Sequence, residues 1–106
     1  LLPKHYAPRA KLVIRSWRDA GEFNLQLSSC NLPRSRIQVI AHTHIPSDEG
    51  LGGVSVIPHD AEAFARALYA ELHRCDAAGA ALIVVEALPA GIEWQAIGDR
   101  LKRAAS

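Results

Sequence analysis

From Asp60 to Glu86 the apolar and polar positions follow two successive patterns, and the rest of the chain is organised around them. Ala61, Phe64, Ala65, Leu68, Leu72 and Cys75 recur at helical spacing, with Tyr69 beside them. That is one apolar stripe on a period of about 3.6 residues. Asp60 stands where its carboxylate can accept from the free N–H groups of a first turn. Gly79 stands where a helix closes. The run Ala81-Leu82-Ile83-Val84-Val85 follows at once and is apolar on both faces, so it needs cover on both sides, as a parallel sheet provides.

The other segments supply the partners of this helix and strand. Lys11-Leu12-Val13-Ile14-Arg15, Arg36-Ile37-Gln38-Val39-Ile40-Ala41 and Val54-Ser55-Val56-Ile57 read as three further strands. Residues 17–29 carry two patterns. Trp17, Ala20, Phe23, Leu25 and Leu27 fit a helix only in part, Gly21 weakens it, and Phe23-Asn24-Leu25-Gln26-Leu27 alternates like a strand. A helix is expected, because a parallel pair needs a crossover. Asn31-Leu32-Pro33 and Pro89-Ala90-Gly91 are breaks, and residues 42–53, with a proline and three glycines, are a loop. Residues 92–105 read as a closing amphipathic helix, with Ile97, Leu101 and Ala104 as its stripe and Arg100, Lys102 and Arg103 toward the end where the dipole favours cations. The expected architecture is a three-layer α/β/α Rossmann-like sandwich around a mostly parallel sheet of about four strands. Residues 1–10, with two prolines, read as an extended linker ahead of a single domain at 11–106.

Composition adds bounds. A chain of 106 residues suits one domain with its own core. The formal net charge of +1 gives no reason to expect strong nucleic-acid binding. No run is long and apolar enough for a membrane span, and no signal peptide is evident, so a cytoplasmic location without membrane contact is expected. Cys30 and Cys75 lack CxxC spacing and are expected to be free thiols. The opening Leu1-Leu2-Pro3, in a chain without methionine, reads as a piece of a longer protein.

Ligands of open α/β sheets bind beyond the carboxyl ends of the strands. Those ends bring His42, His44, His59, Asp48 and Glu86 toward one edge. The His42-Thr43-His44 spacing can hold a transition metal if a third ligand converges; two solvated histidines in a polar loop is the simpler expectation, and no metal is expected. Gly50-Leu51-Gly52-Gly53 precedes a strand, whereas phosphate cradles precede a helix, so a flexible turn is expected. Glu86 at a strand end can act as a general base, but no nucleophile or acid partner must meet it, and a solvated or capping carboxylate is expected. Asp99-Arg100 reads as an exposed helix face. Nothing here forms a self-sufficient active site.

Two stretches resemble a known family. Lys4-His5-Tyr6-Ala7-Pro8 is similar to the His-Tyr-Ala-Pro linker of two-domain threonylcarbamoyl-AMP synthases. Residues 65–76, Ile83-Val84-Val85-Glu86 and residues 99–105 resemble, in order and spacing, the C-terminal domain of the same family. Before the last helix the family usually has Gly-Leu-Gly, where this chain has Gly91-Ile92-Glu93-Trp94. The resemblance implies a Rossmann-like accessory or regulatory domain, inactive alone, of a nucleotidyltransferase that joins threonine, bicarbonate and ATP for the threonylcarbamoyladenosine modification of tRNA. It implies no cofactor in this chain, ATP and magnesium belonging to the catalytic N-terminal domain, which is the expected partner beside a possible homodimer. It also implies that His5, Tyr6 and Pro8 help to gate the catalytic site. The alternative is a free-standing module that takes a nucleotide or small anion at the strand edge near His42, His44, His59 and Glu86.

Overall fold

A computed structural model of the protein describes residues 8–105; His5 and Tyr6 of the linker motif lie outside the described residues. The elements run β1 (Lys11–Arg15), α1 (Ala20–Ser28), a 3-10 turn (Arg34–Arg36), β2 (Ile37–Ala41), β3 (Gly53–Val56), α2 (Ala61–Ala77), β4 (Leu82–Glu86) and α3 (Ile92–Ala105). The strands form one four-stranded sheet in the order β1-β4-β2-β3, parallel throughout. β4 and β2 are central and buried at every position, which is why both are apolar without alternation. β3 begins at Gly53, one residue earlier than the hydrophobic run indicates, and Ile57 just beyond it is buried.

The two-way pattern of residues 17–29 resolves as a helix. Phe23 and Leu27 are buried, while Leu25 between them is 72% exposed. A strand would have put all three on one face; one helical turn separates the first and third and turns the middle one to water. Asp19 starts the helix, its carboxylate accepting from the Glu22 N–H at 2.8 Å. Glu22 reaches back to the Arg18 N–H at 2.9 Å, so the first turn is capped from both directions.

The helices cover opposite faces. Phe23 and Leu27 of α1 pack with Trp17, Val39, Ala41 and Val84. On the other face Phe64, Leu68 and Leu72 of α2 and Leu101 of α3 pack with Leu12, Ile40, Ile83 and Val85. Asp60 caps α2 by accepting from the Ala63 N–H at 2.9 Å, and Gly79 follows the helix at φ 83°. Both cysteines are free; burial pushes the Cys75 thiol up to about 11, which keeps it an inert core group. At the entry to β1 the Arg9 and Ala10 N–H groups donate to the Asp76 carboxylate at 2.9 and 3.0 Å.

Gly52, at the end of the loop before β3, serves close packing. A Cβ on Gly52 would lie 2.6 Å from the Ser35 carbonyl oxygen and 3.1 Å from that of Ile37. The Gly52 N–H itself donates toward Arg34 and Ile37 oxygens. The nearest obstructing atom is backbone, so Gly52→Ala is expected to lower stability by about 1–3 kcal/mol, as overpacking does. A thermal melt of the variant checks this; an unchanged midpoint means the 3-10 turn yields without cost.

The topology opens a crevice at the carboxyl edge. β1 leads to α1 on one face, whereas its neighbour β4 leads to α3 on the other. Adjacent strands whose connections part to opposite faces open a cleft between them, the usual ligand position of such sheets.

Candidate functional site

Glu86, the last residue of central strand β4, anchors that cleft. It is 4% exposed. Its Oε1 accepts from the backbone N–H groups of His42 and Thr43, each at 2.9 Å, and its Oε2 from the His44 N–H at 3.1 Å and the His44 ring Nδ1 at 2.8 Å. Three successive N–H groups turned to one point form an anion-binding concavity. Here the chain's own carboxylate fills it. Burial pushes the Glu86 carboxyl upward, but the N–H donors of His42 and Thr43 and the His44 ring outweigh burial, and the group is held below its ordinary value. Glu86 is thus neither solvated nor a poised base: it is a buried cap on the loop after β2, brought there because β4 lies beside β2.

The neighbouring imidazoles are fixed by their partners. The His42 side chain, only 4% exposed, points Nε2 at the Ala87 carbonyl oxygen at 2.8 Å. A carbonyl only accepts, so Nε2 is assigned the hydrogen and Nδ1 of the neutral ring accepts from the Thr43 hydroxyl, also at 2.8 Å. Thr43 has then given its one proton, so its oxygen accepts from Nδ1 of His59 at 2.9 Å. The chain runs in one direction, from His59 through Thr43 to His42 and on to Ala87. In the neutral tautomers so assigned, His44, half-exposed, and His59, exposed, keep Nε2 as an acceptor.

Aromatic rings hold this polar layer in place. Trp94 packs edge-on to His59 and Phe64 with centroids 5.9 and 5.4 Å apart, and tilted over His42 at 6.5 Å. On the opposite side, Trp17 is buried and its indole N–H donates to the His44 carbonyl oxygen at 2.8 Å. Beside Trp17 opens a cleft of about 490 Å³, lined by Trp17, Arg18, His44, His59, Glu86 and Pro89 among others. Arg18 is tied to Glu22 at 3.1 Å.

Four of the five residues expected at this edge therefore meet: His42, His44, His59 and Glu86. Asp48 does not; it is exposed on the far part of the loop, where its carbonyl oxygen accepts from the Leu51 N–H. His42 is a buried member of a hydrogen-bonded chain, not a solvated loop residue. Among the described residues no group of three or more His, Cys, Asp and Glu side chains is placed to hold a metal ion. The loop N–H donors are occupied by Glu86, so an incoming anion finds none of them free.

These elements can now be set beside known proteins. A family model described as "Threonylcarbamoyl-AMP synthase, C-terminal domain" matches residues 1–106. The chain belongs to this family. Comparison with curated proteins and with solved structures returned no match. In the turn ahead of α3, Gly91 has φ 137° and a Cβ there would strike the Glu93 carboxylate. Ile92 is 84% exposed, and Trp94 turns inward to pack against His42 and His59. Trp94 is the site residue that sequence reasoning missed, although it extends the stripe of Ile97, Leu101 and Ala104 by one step of three; Trp17 and Thr43 fall at strand carboxyl ends expected to form the ligand edge, but no role was read for either.

Proposed function

We propose that this chain is an accessory, regulatory domain of a threonylcarbamoyl-AMP synthase, inactive by itself and coupled to a catalytic N-terminal domain through the linker that carries His5, Tyr6 and Pro8. The observation behind this reading is the family match over the whole chain, linker motif included. The geometry agrees in kind. The buried acid and the histidines at the sheet edge are engaged with one another: Glu86 with three backbone N–H groups and His44, and His42 with Thr43 and Ala87. The loop N–H groups that an anion would use are already taken by the Glu86 carboxylate, which supports placing nucleotide binding on the other domain. ATP and magnesium, with threonine and bicarbonate, belong in this proposal to the other domain, and no step of their chemistry is assigned to residues here. Among the described residues no helix is long and apolar enough to cross a membrane.

The expected result is a contrast between fragment and parent. The 106-residue chain incubated with ATP, threonine and bicarbonate should release no pyrophosphate above background. Tyr6→Ala should leave the stability of this fragment within about 0.5 kcal/mol, because the linker is proposed to act on the catalytic domain. In the full-length parent the same change should lower turnover by loosening a lid over the catalytic site. Turnover by the fragment that survives repurification, or a parent indifferent to Tyr6→Ala, overturns the reading.

A further inference from the structure

β1 pairs with β4 on one side and, among the described residues, with no strand on the other. The ladder fixes which groups are left over. The Lys11 N–H donates to the Ala81 oxygen at 3.0 Å, and the Arg15 oxygen accepts from the Ala87 N–H at 2.9 Å. Residues 11, 13 and 15 therefore bond inward, and the N–H and C=O groups of Leu12 and Ile14 point away from the sheet. One of them, the Ile14 oxygen, is covered by Nη1 of Arg15 at 2.9 Å.

A groove flanks this edge on each face. On the α1 face a cavity of about 410 Å³ has a floor of Val13, Phe23 and Val84 and is bordered by Lys11 and Arg15. On the α3 face one of about 590 Å³ is lined by Ile14, Leu88, Ile92 and Lys102 among others. A strand laid along β1 would send alternate side chains into the two grooves. Lys11 and Arg15 are exposed, share the α1 face, and have no carboxylate partner among the described residues. These charges also select the occupant. A second copy paired antiparallel in full overlap, Val13 on Val13, would set Lys11 directly against Arg15 of its twin, and like charges directly opposed destabilise a pair.

We propose that the β1 edge accepts an extended segment of a partner polypeptide as a fifth strand, with carboxylates opposite Lys11 and Arg15 and apolar side chains between them in the two grooves. Arg15 then exchanges the Ile14 oxygen for a partner carboxylate, which frees that oxygen for the added strand. The interaction is separate from the linker's role and does not depend on it.

The peptide Glu-Val-Leu-Val-Glu tests this, since it reads the same in either strand direction. Its saturating addition should slow amide hydrogen exchange at Leu12 and Ile14 by about tenfold or more, equivalent to 1.4 kcal/mol of protection. Lys-Val-Leu-Val-Lys should not. In the double variant Lys11→Glu, Arg15→Glu the preference should reverse. Unchanged exchange at Leu12 and Ile14, equal protection by both peptides, or a double variant that still prefers the acidic peptide overturns the proposal. Lys11 and Arg15 would then serve only to keep a bare edge from pairing.

Discussion

Glu86→Ala is expected to destabilise the domain by roughly 3–5 kcal/mol, the range for removing one partner of a buried charged network. The change leaves the N–H groups of His42, Thr43 and His44 without their acceptor, and an unsatisfied buried donor costs about 1–3 kcal/mol. Glu86→Gln should fall between the two proteins: it keeps one acceptor oxygen but turns an amide group toward a donor. The pH dependence follows from the ionised form being favoured in the fold. Because the Glu86 carboxyl is held below its ordinary value of 4.5, its contribution is complete above that value and is lost as the pH falls through the lower folded value. Urea midpoints measured from neutral pH downward should therefore fall in the native protein below about pH 4.5, and fall less in Glu86→Gln. Formate provides the sharper check. In Glu86→Ala the emptied concavity should take it up and raise the midpoint with concentration, as any ligand of the native state does. A variant of native stability, or one that formate leaves untouched, means the loop satisfies its donors elsewhere.

Leu68→Ala should be comparably damaging, at roughly 2–5 kcal/mol. Leu68 is 1% exposed in the middle of the α2 stripe, in one cluster with Phe64, Leu72, Ile40 and Ile83. Its neighbours there are sheet and helix residues held by their own packing, so the cavity cannot close cheaply. Against a total of ~5–15 kcal/mol such a loss is a large fraction of the stability. A thermal melt checks it, and an unchanged midpoint would mean α2 can slide to fill the gap. The two variants should differ in kind: Leu68→Ala destabilises at all pH values, whereas the cost of Glu86→Ala shrinks in acid, where the native carboxyl is also protonated.

The chain's hydrophobic pattern alone was enough to determine most of the elements. The stripe of Phe64, Leu68, Leu72 and Cys75, the buried run of β4 and the last helix are local in sequence, because side-chain periodicity follows directly from backbone geometry. The family was legible in the same way, from short stretches whose order and spacing are written in the chain. The helix at Ala20–Ser28 was less so: Phe23, Leu25 and Leu27 alternate like a strand while Phe23 and Leu27 alone also fit a helix, and only the burial of those two with Leu25 in water decides between them.

What tertiary structure alone decided is the site. Glu86 meets His42 across 44 residues of chain, and nothing near Glu86 in sequence tells whether it faces water or three N–H groups. That depends on the strand order, which sets β4 between β1 and β2 and so carries the end of one central strand to the loop after the other. The same order separates Asp48 from the cluster, turns Trp94 over the histidines and, among the described residues, leaves one edge of β1 unpaired. Apolar patterning says which face of each element is hidden. Which polar groups then meet depends on how the hidden faces are stacked, and that is a property of long-range contacts.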